Sequence, residues 1–238
     1  MTTVLDLKPI IKLTSEEFYQ LCQVNPELPL ELSRDGELII MSPVGGETGN
    51  KEADLNFQVS LWNYQSKRGL VFSSSTVFDL PNGGKRSPDV AWISQARWDT
   101  LTPTEKQKFP PICPDFVIEL RSPSDRLQPL QDKMLEYIDA GLKLGWLINP
   151  QDNTVEIYRL KQQTETLSLP VSLSGENVLP GGSIPKLLSC PLLIIVDLMN
   201  FPPSPRLPIK LQELSFLQKW DAPYLGSLYC WKFEHYYL

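Results

Sequence analysis

The segment Leu13-Thr14-Ser15-Glu16-Glu17-Phe18 sets Thr14 three residues before Glu17, the spacing of a capping box, and predicts a short helix closed by Asn25-Pro26 and Pro29. The runs Glu31-Leu-Ser and Glu37-Leu-Ile-Ile-Met41 flank Arg34-Asp35-Gly36. An Asp-Gly pair between such runs predicts a β-hairpin. After Gly45-Gly46 the apolar period lengthens: Leu55, Val59 and Trp62 recur at helical spacing, which predicts a helix from about Glu47 to Gln65. Glu52 falls on that stripe, and Glu47 lies at the helix start, where a carboxylate favours the macrodipole. A solvated or capping role explains both acids as they stand.

Further on, Leu70 to Asp79 is β-rich, Pro81-Asn82-Gly83-Gly84 turns the chain, and Ser87-Pro88-Asp89-Val90-Ala91-Trp92-Ile93 predicts the next strand. Residues 95–111 read as a polar, Pro-bounded connection, partly helical. Pro114 to Arg121 is a strong strand, Pro129 to Ala140 a helix followed by Gly141, and Gly145–Asn149 and Thr154–Arg159 two more strands. Strands interleaved with helices in this order imply an α/β fold in which helices flank a central mixed sheet. The regular pattern stops near Gly182. We therefore divide the chain into a domain over 1–182 and an extension over 183–238, where Pro202, Pro203, Pro205 and Pro208 interrupt a stretch with no clean period.

Composition narrows the chemistry. The 238 residues are 42% hydrophobic and 21% charged, the values of a chain that buries a sizeable core. A net charge of -6 argues against wrapping nucleic acid by bulk electrostatics, but a carboxylate site that takes up a metal reverses its local sign. The lone histidine, His235, removes most mechanisms built on histidine bases or ligands. Cys22, Cys113, Cys190 and Cys230 are scattered without a C-x-x-C pair, which points to reduced thiols in a cytoplasmic protein. The first residues carry no signal-peptide pattern, and the longest apolar run, Leu192–Val196, is too short to span a bilayer, so no membrane role is expected.

Carboxylates and lysine are left to carry any reaction. Along Phe116–Arg121, alternation puts Val117, Glu119 and Arg121 on one face. Asp89 starts an earlier apolar strand, and an acid on one strand with Glu-x-cation on a later one is how two-carboxylate magnesium sites are assembled. On the helix after Glu119, Leu130, Met134, Tyr137 and Ile138 form an inward stripe, and Lys133 lies within it. An inward lysine is costly unless paired, although a snorkelling stem is the alternative.

Four blocks in order, Arg86-Ser-Pro-Asp89-Val-Ala-Trp-Ile, Pro114-Asp-Phe-Val-Ile-Glu119-Leu-Arg-Ser-Pro-Ser-Asp125, Lys133-Met-Leu-Glu-Tyr137 and Ala140-Gly-Leu-Lys-Leu-Gly-Trp-Leu-Ile-Asn-Pro150, resemble the Uma-two family of restriction-endonuclease-like proteins common in cyanobacteria. The resemblance covers roughly residues 10–182. It implies the PD-(D/E)xK nuclease fold, Asp89 and Glu119 as ligands of Mg²⁺ or Mn²⁺, and DNA as substrate. The lysine of the motif would come from the following helix, at Lys133. Arg121 stands where the strict motif has lysine. Always protonated, it cannot be a base, but it can clamp a phosphate. The segment Gly45-Gly46-Glu47-Thr48-Gly49-Asn50 also resembles the family's and makes Glu47 an accessory acid. A homodimer is expected from the need to cut two strands. Two readings compete with a DNA endonuclease: a non-catalytic binding or assembly module on a nuclease fold, and a two-carboxylate glycosidase, which explains neither Lys133 nor Arg121.

Overall fold

The structure is a computed structural model and describes residues 2–8, 10–169, 171–181 and 183–184. The chain opens with β1 (Thr3–Asp6) and α1 (Ser15–Val24). The helix begins where the capping box places it: Glu17 N donates to Thr14 Oγ1 at 3.2 Å, and Thr14 N donates back to Glu17 Oε2 at 2.8 Å. The expected hairpin forms as β2 (Leu30–Leu32) and β3 (Glu37–Ile40), antiparallel across a turn in which Gly36 has φ 86°, open to glycine without a Cβ clash. Then comes α2 (Gly46–Ser66), slightly longer at both ends than its apolar stripe required.

The β-rich stretch over 70–79 is two strands in two different sheets. β4 (Gly69–Ser73) ends in a turn closed by Thr76 N to Ser73 O at 3.0 Å, and β5 (Phe78–Asp79) then pairs with β6 (Lys85–Arg86). The rest of the fold is β7 (Val90–Ser94), two short helices α3 (Gln95–Trp98) and α4 (Pro103–Gln107), β8 (Phe116–Leu120), α5 (Leu127–Asp139), β9 (Leu144–Asn149), β10 (Thr154–Arg159), β11 (Glu165–Ser168), β12 (Leu173–Ser174) and β13 (Ser183–Ile184).

One sheet was expected, and the described residues form two larger ones and a two-stranded ribbon. The six-stranded sheet runs β11-β10-β9-β8-β7-β4 and is mixed: β8 and β9 are parallel, which requires the crossover that α5 supplies, and the other pairs are antiparallel. The five-stranded sheet runs β1-β3-β2-β6-β5, because the N-terminal hairpin takes β6 as its neighbour through Leu32 and Lys85. β12 and β13 make the ribbon. Beyond Ser183–Ile184, the expected extension lies outside the described residues, as do Cys190, Cys230 and His235. Among the described residues no helix is long and apolar enough to cross a membrane. Cys22 and Cys113 are free thiols, and burial pushes Cys113 up to about 12.

Helices cover both faces of the six-stranded sheet, so all five residues of β8 are buried. Phe116, Ile118 and Leu120 pack with Val90, Trp92 and Trp146 against Leu55 and Val59 of α2. Val117 packs on the opposite face with Ala91, Ile93 and Leu147 against Met134 and Tyr137 of α5. The α5 contact is close: a Cβ on Gly145 of β9 would lie 2.8 Å from Leu142 Cδ2 and closer still to Met134 Cε. Glu119, on the Val117 face, is thereby delivered under α5.

Candidate active site

The helical stripe of α5 turns Lys133 inward, where only 8% of its surface remains exposed. Snorkelling is not its arrangement. Its Nζ lies 2.8 Å from Glu119 Oε1 and 2.9 Å from Glu31 Oε1, and donates to Ser87 O at 3.2 Å. Three acceptors thus meet the three N–H bonds of one ammonium. The Tyr137 hydroxyl, one turn along α5, donates to the same Glu119 Oε1 at 3.1 Å. Asp89 sits just before β7, half-buried, and its Oδ2 accepts from Leu120 N at 2.7 Å. That bond ties the Asp89 carboxylate to the residue after Glu119, and the pairing of Val90 with Ile118 sets the register.

Behind this group stands a buried ion network. Glu31 Oε1 also accepts from Ser87 N at 2.8 Å, and Oε2 accepts from Arg86 NH1 at 3.0 Å. Arg86 turns its other edge to Glu136 of α5, donating from Nε at 3.1 Å and NH2 at 2.6 Å. Glu136 Oε1 further accepts from Arg34 N at 3.2 Å, and a Cβ on Gly84 would collide with it. Four elements, β2, β6, β8 and α5, are joined through these side chains. Removing one member of a buried pair costs about 3–5 kcal/mol, because the other is left charged and unpaired.

The charges follow from the contacts. Burial works against the Lys133 ammonium, but Glu119 and Glu31 together outweigh it and hold Lys133 above the ordinary lysine range. Burial likewise raises Glu31, yet Lys133 and Arg86 bring it below the usual glutamate range. Glu119 is raised: burial and the charge of Glu31 outweigh Lys133 and the Tyr137 hydrogen bond. Burial, with Glu119 as the next cause, lifts Asp89 well above the ordinary aspartate range. Asp89 and Glu119 are therefore two carboxylates whose joint ionisation is resisted, a condition that a divalent cation relieves.

Of the five residues singled out by sequence, the structure brings Asp89, Glu119 and Lys133 together and leaves Arg121 and Glu47 apart from them. Alternation put Arg121 on the Glu119 face, but β8 ends at Leu120. There the β9–β10 turn offers better acceptors: Arg121 NH1 binds Asp152 at 2.9 Å and Asn149 Oδ1 at 3.2 Å, and Nε binds Asp125 O at 3.1 Å. Glu47, in the first turn of α2, is exposed and pairs with Lys51 at 2.7 Å. Arg121 and Glu47 line a cleft of about 200 Å³ with Thr48, Lys51, Gln151 and Leu120, the residue whose N–H binds Asp89. Glu52 accepts from the Ser74 hydroxyl. Sequence reasoning missed Glu31, Arg86, Glu136 and Tyr137 as parts of the site. A signal existed on α5, where Lys133, Glu136 and Tyr137 share one side of the helix at spacings of three and four.

Among the described residues no three His, Cys, Asp or Glu side chains form a group that holds a metal. Asp89 and Glu119 alone are a hard two-oxygen donor set, with both donors to the Glu119 side chain meeting Oε1 and the backbone donor to Asp89 meeting Oδ2. Such a set fits Mg²⁺ or Mn²⁺, since Mg²⁺ is commonly held by one or two carboxylates and completes its shell with water and phosphate oxygens.

Comparison with known proteins places this geometry in context. A family model described as Uma2, putative restriction endonuclease, matches residues 15–188. No curated protein matches the chain. Among solved structures the chain is similar to a putative nuclease belonging to DUF820 from Anabaena variabilis ATCC 29413. The TM-score is 0.60 and the identity 20%, over 71% of this chain and 93% of that one. The shared fold is restriction-endonuclease-like, with a mixed sheet between helices.

Proposed function

We propose that this chain, which belongs to the Uma2 family, is a metal-dependent endonuclease that hydrolyses phosphodiester bonds of DNA at Asp89, Glu119 and Lys133. The observation that carries the reading is the buried Lys133 ammonium fixed at Glu119, beside a second carboxylate that the Leu120 backbone holds in place. Asp89 and Glu119 would hold Mg²⁺ or Mn²⁺, which when bound polarises phosphorus and lowers the pKa of a coordinated water.

The chain's own residues do the rest. Lys133 keeps its proton and sets a fixed positive charge where negative charge builds on the phosphate, the preorganised stabilisation on which phosphoryl chemistry depends. Tyr137 fixes the orientation of Glu119. Arg121 is proposed to hold a flanking phosphate in its own cleft by its planar fork, with Glu47 as an accessory acid there. The net charge of -6 confines DNA contact to such local sites. The same proposal places the nuclease domain in 1–182 and the protein in the cytoplasm, consistent with free Cys22 and Cys113. It also takes the protein to act as a homodimer, two sites cutting two strands. Light scattering at high concentration should then give twice the chain mass, and a monomer mass removes the dimer.

One observation favours the non-catalytic module: all three Lys133 donors are engaged inside the protein. Calorimetric titration separates the two readings. The parent should take up one Mg²⁺ or Mn²⁺ per chain, and Asp89→Asn should weaken binding by more than the roughly 10–100-fold cost of changes outside the ligand set. Equal binding by parent and variant would rule Asp89 out as a ligand.

A further inference from the structure

We infer that Glu31, on the N-terminal sheet, is a positioning residue for the reaction: it holds Lys133 between two carboxylates and so keeps Glu119 available to the cation. The inference rests on the reading of Asp89, Glu119 and Lys133 given above. A lysine stem has several rotatable bonds and a compact charge, and one acceptor does not fix its direction. Lys133 has three acceptors from three parts of the chain: Glu31 of β2, Glu119 of β8 and the Ser87 carbonyl between β6 and β7. Glu31 takes one N–H of the ammonium at 2.9 Å while Glu119 takes another at 2.8 Å, so the charge is shared between two carboxylates. Without that sharing, the Lys133 charge would be matched by Glu119 alone and would compete more strongly with a metal for its oxygens.

Glu31 is itself held rigidly enough to do this. Only 2% of it is exposed, and Ser87 N and Arg86 NH1 fix its two oxygens at 2.8 and 3.0 Å. Arg86 forks onto Glu136, three residues along α5 from Lys133. One glutamate therefore grips α5 at two points, directly through Lys133 and indirectly through Arg86. Glu31 meets Glu119 through the shared ammonium and also by its own charge, so its effect on the cation runs through Lys133, through that direct charge or through the fold.

A double-mutant cycle read by Mn²⁺ calorimetry distinguishes the lysine route from the others. Glu31→Gln should weaken Mn²⁺ binding by about tenfold, in the range of changes outside a ligand set. In a Lys133→Met background the same change should shift affinity by a clearly smaller factor, the part that the charge of Glu31 exerts directly, because no shared ammonium remains. In cleavage assays Glu31→Gln should lower kcat and leave KM near the parent value. Should Glu31→Gln not fold, Glu31→Asp keeps the charge and shortens the reach, and carries the same comparison with a smaller expected loss. Unchanged Mn²⁺ affinity in the folded variant, or an equal loss with and without Lys133, overturns the positioning role and leaves the metal site standing. A parent chain that binds no Mn²⁺ overturns the metal site and this inference together.

Discussion

Lys133→Met is expected to lower DNA cleavage by about 10²–10³-fold or more, the loss that follows removal of one preorganised donor from a reacting centre. The change also costs stability. Methionine fills the stem's volume but leaves Glu31 and Glu119, both buried, without the cation between them. A stability loss of about 3–5 kcal/mol is expected, tempered on the Glu31 side because Arg86 still pairs with it. Single-turnover cleavage should therefore be measured well below the variant's melting temperature, with denaturant unfolding in parallel. Arg121→Lys is the contrast: Arg121 binds Asp152 and Asn149, away from Lys133, so its replacement should act on substrate binding and leave the chemical step close to parent. If folded Lys133→Met cuts at the parent rate, the buried ammonium is only a structural counter-ion and the mechanism is wrong.

The parts of this account that were legible in sequence are those with a local period. The stripes of α2 and α5 gave the helices to within a few residues, and the alternation of β8 put Glu119 on the face that α5 covers. Lys133 could be read as inward because Leu130, Met134 and Tyr137 surround it on the helix. What no period encodes was missed. Glu31, Arg86 and Glu136 lie far apart in the chain and meet only because β2 pairs with β6 and α5 brings Glu136 up to Arg86. β5 and β6 are two residues each, too short for any alternation to show, and so the second sheet went unseen. Arg121 failed for a different reason. Alternation holds within a strand, and at a strand's end the nearest acceptors decide where a long side chain goes.

The central claim is that Asp89 and Glu119 form a metal-dependent phosphodiesterase site, and the most direct test is cleavage of supercoiled plasmid by the parent and by Asp89→Asn in the presence of Mg²⁺ or Mn²⁺. Asparagine keeps an oxygen to accept from Leu120 N, so the local fold is preserved, while one of the two charges that attract the cation is lost. Burial first, and repulsion from Glu119 second, work against the Asp89 charge more than Lys133 favours it, so its removal should not destabilise the chain when no cation is added, which denaturant unfolding of both proteins checks. Lost cutting by a variant that unfolds no earlier than the parent is then a loss of chemistry. The expected result is that the parent converts supercoiled plasmid to nicked and linear forms only when metal is supplied, and that Asp89→Asn does so at least about 10³-fold more slowly, consistent with loss of a metal's several kcal/mol of charge stabilisation. Cleavage by Asp89→Asn at the parent rate, or a folded, metal-binding parent that leaves DNA intact, would contradict it.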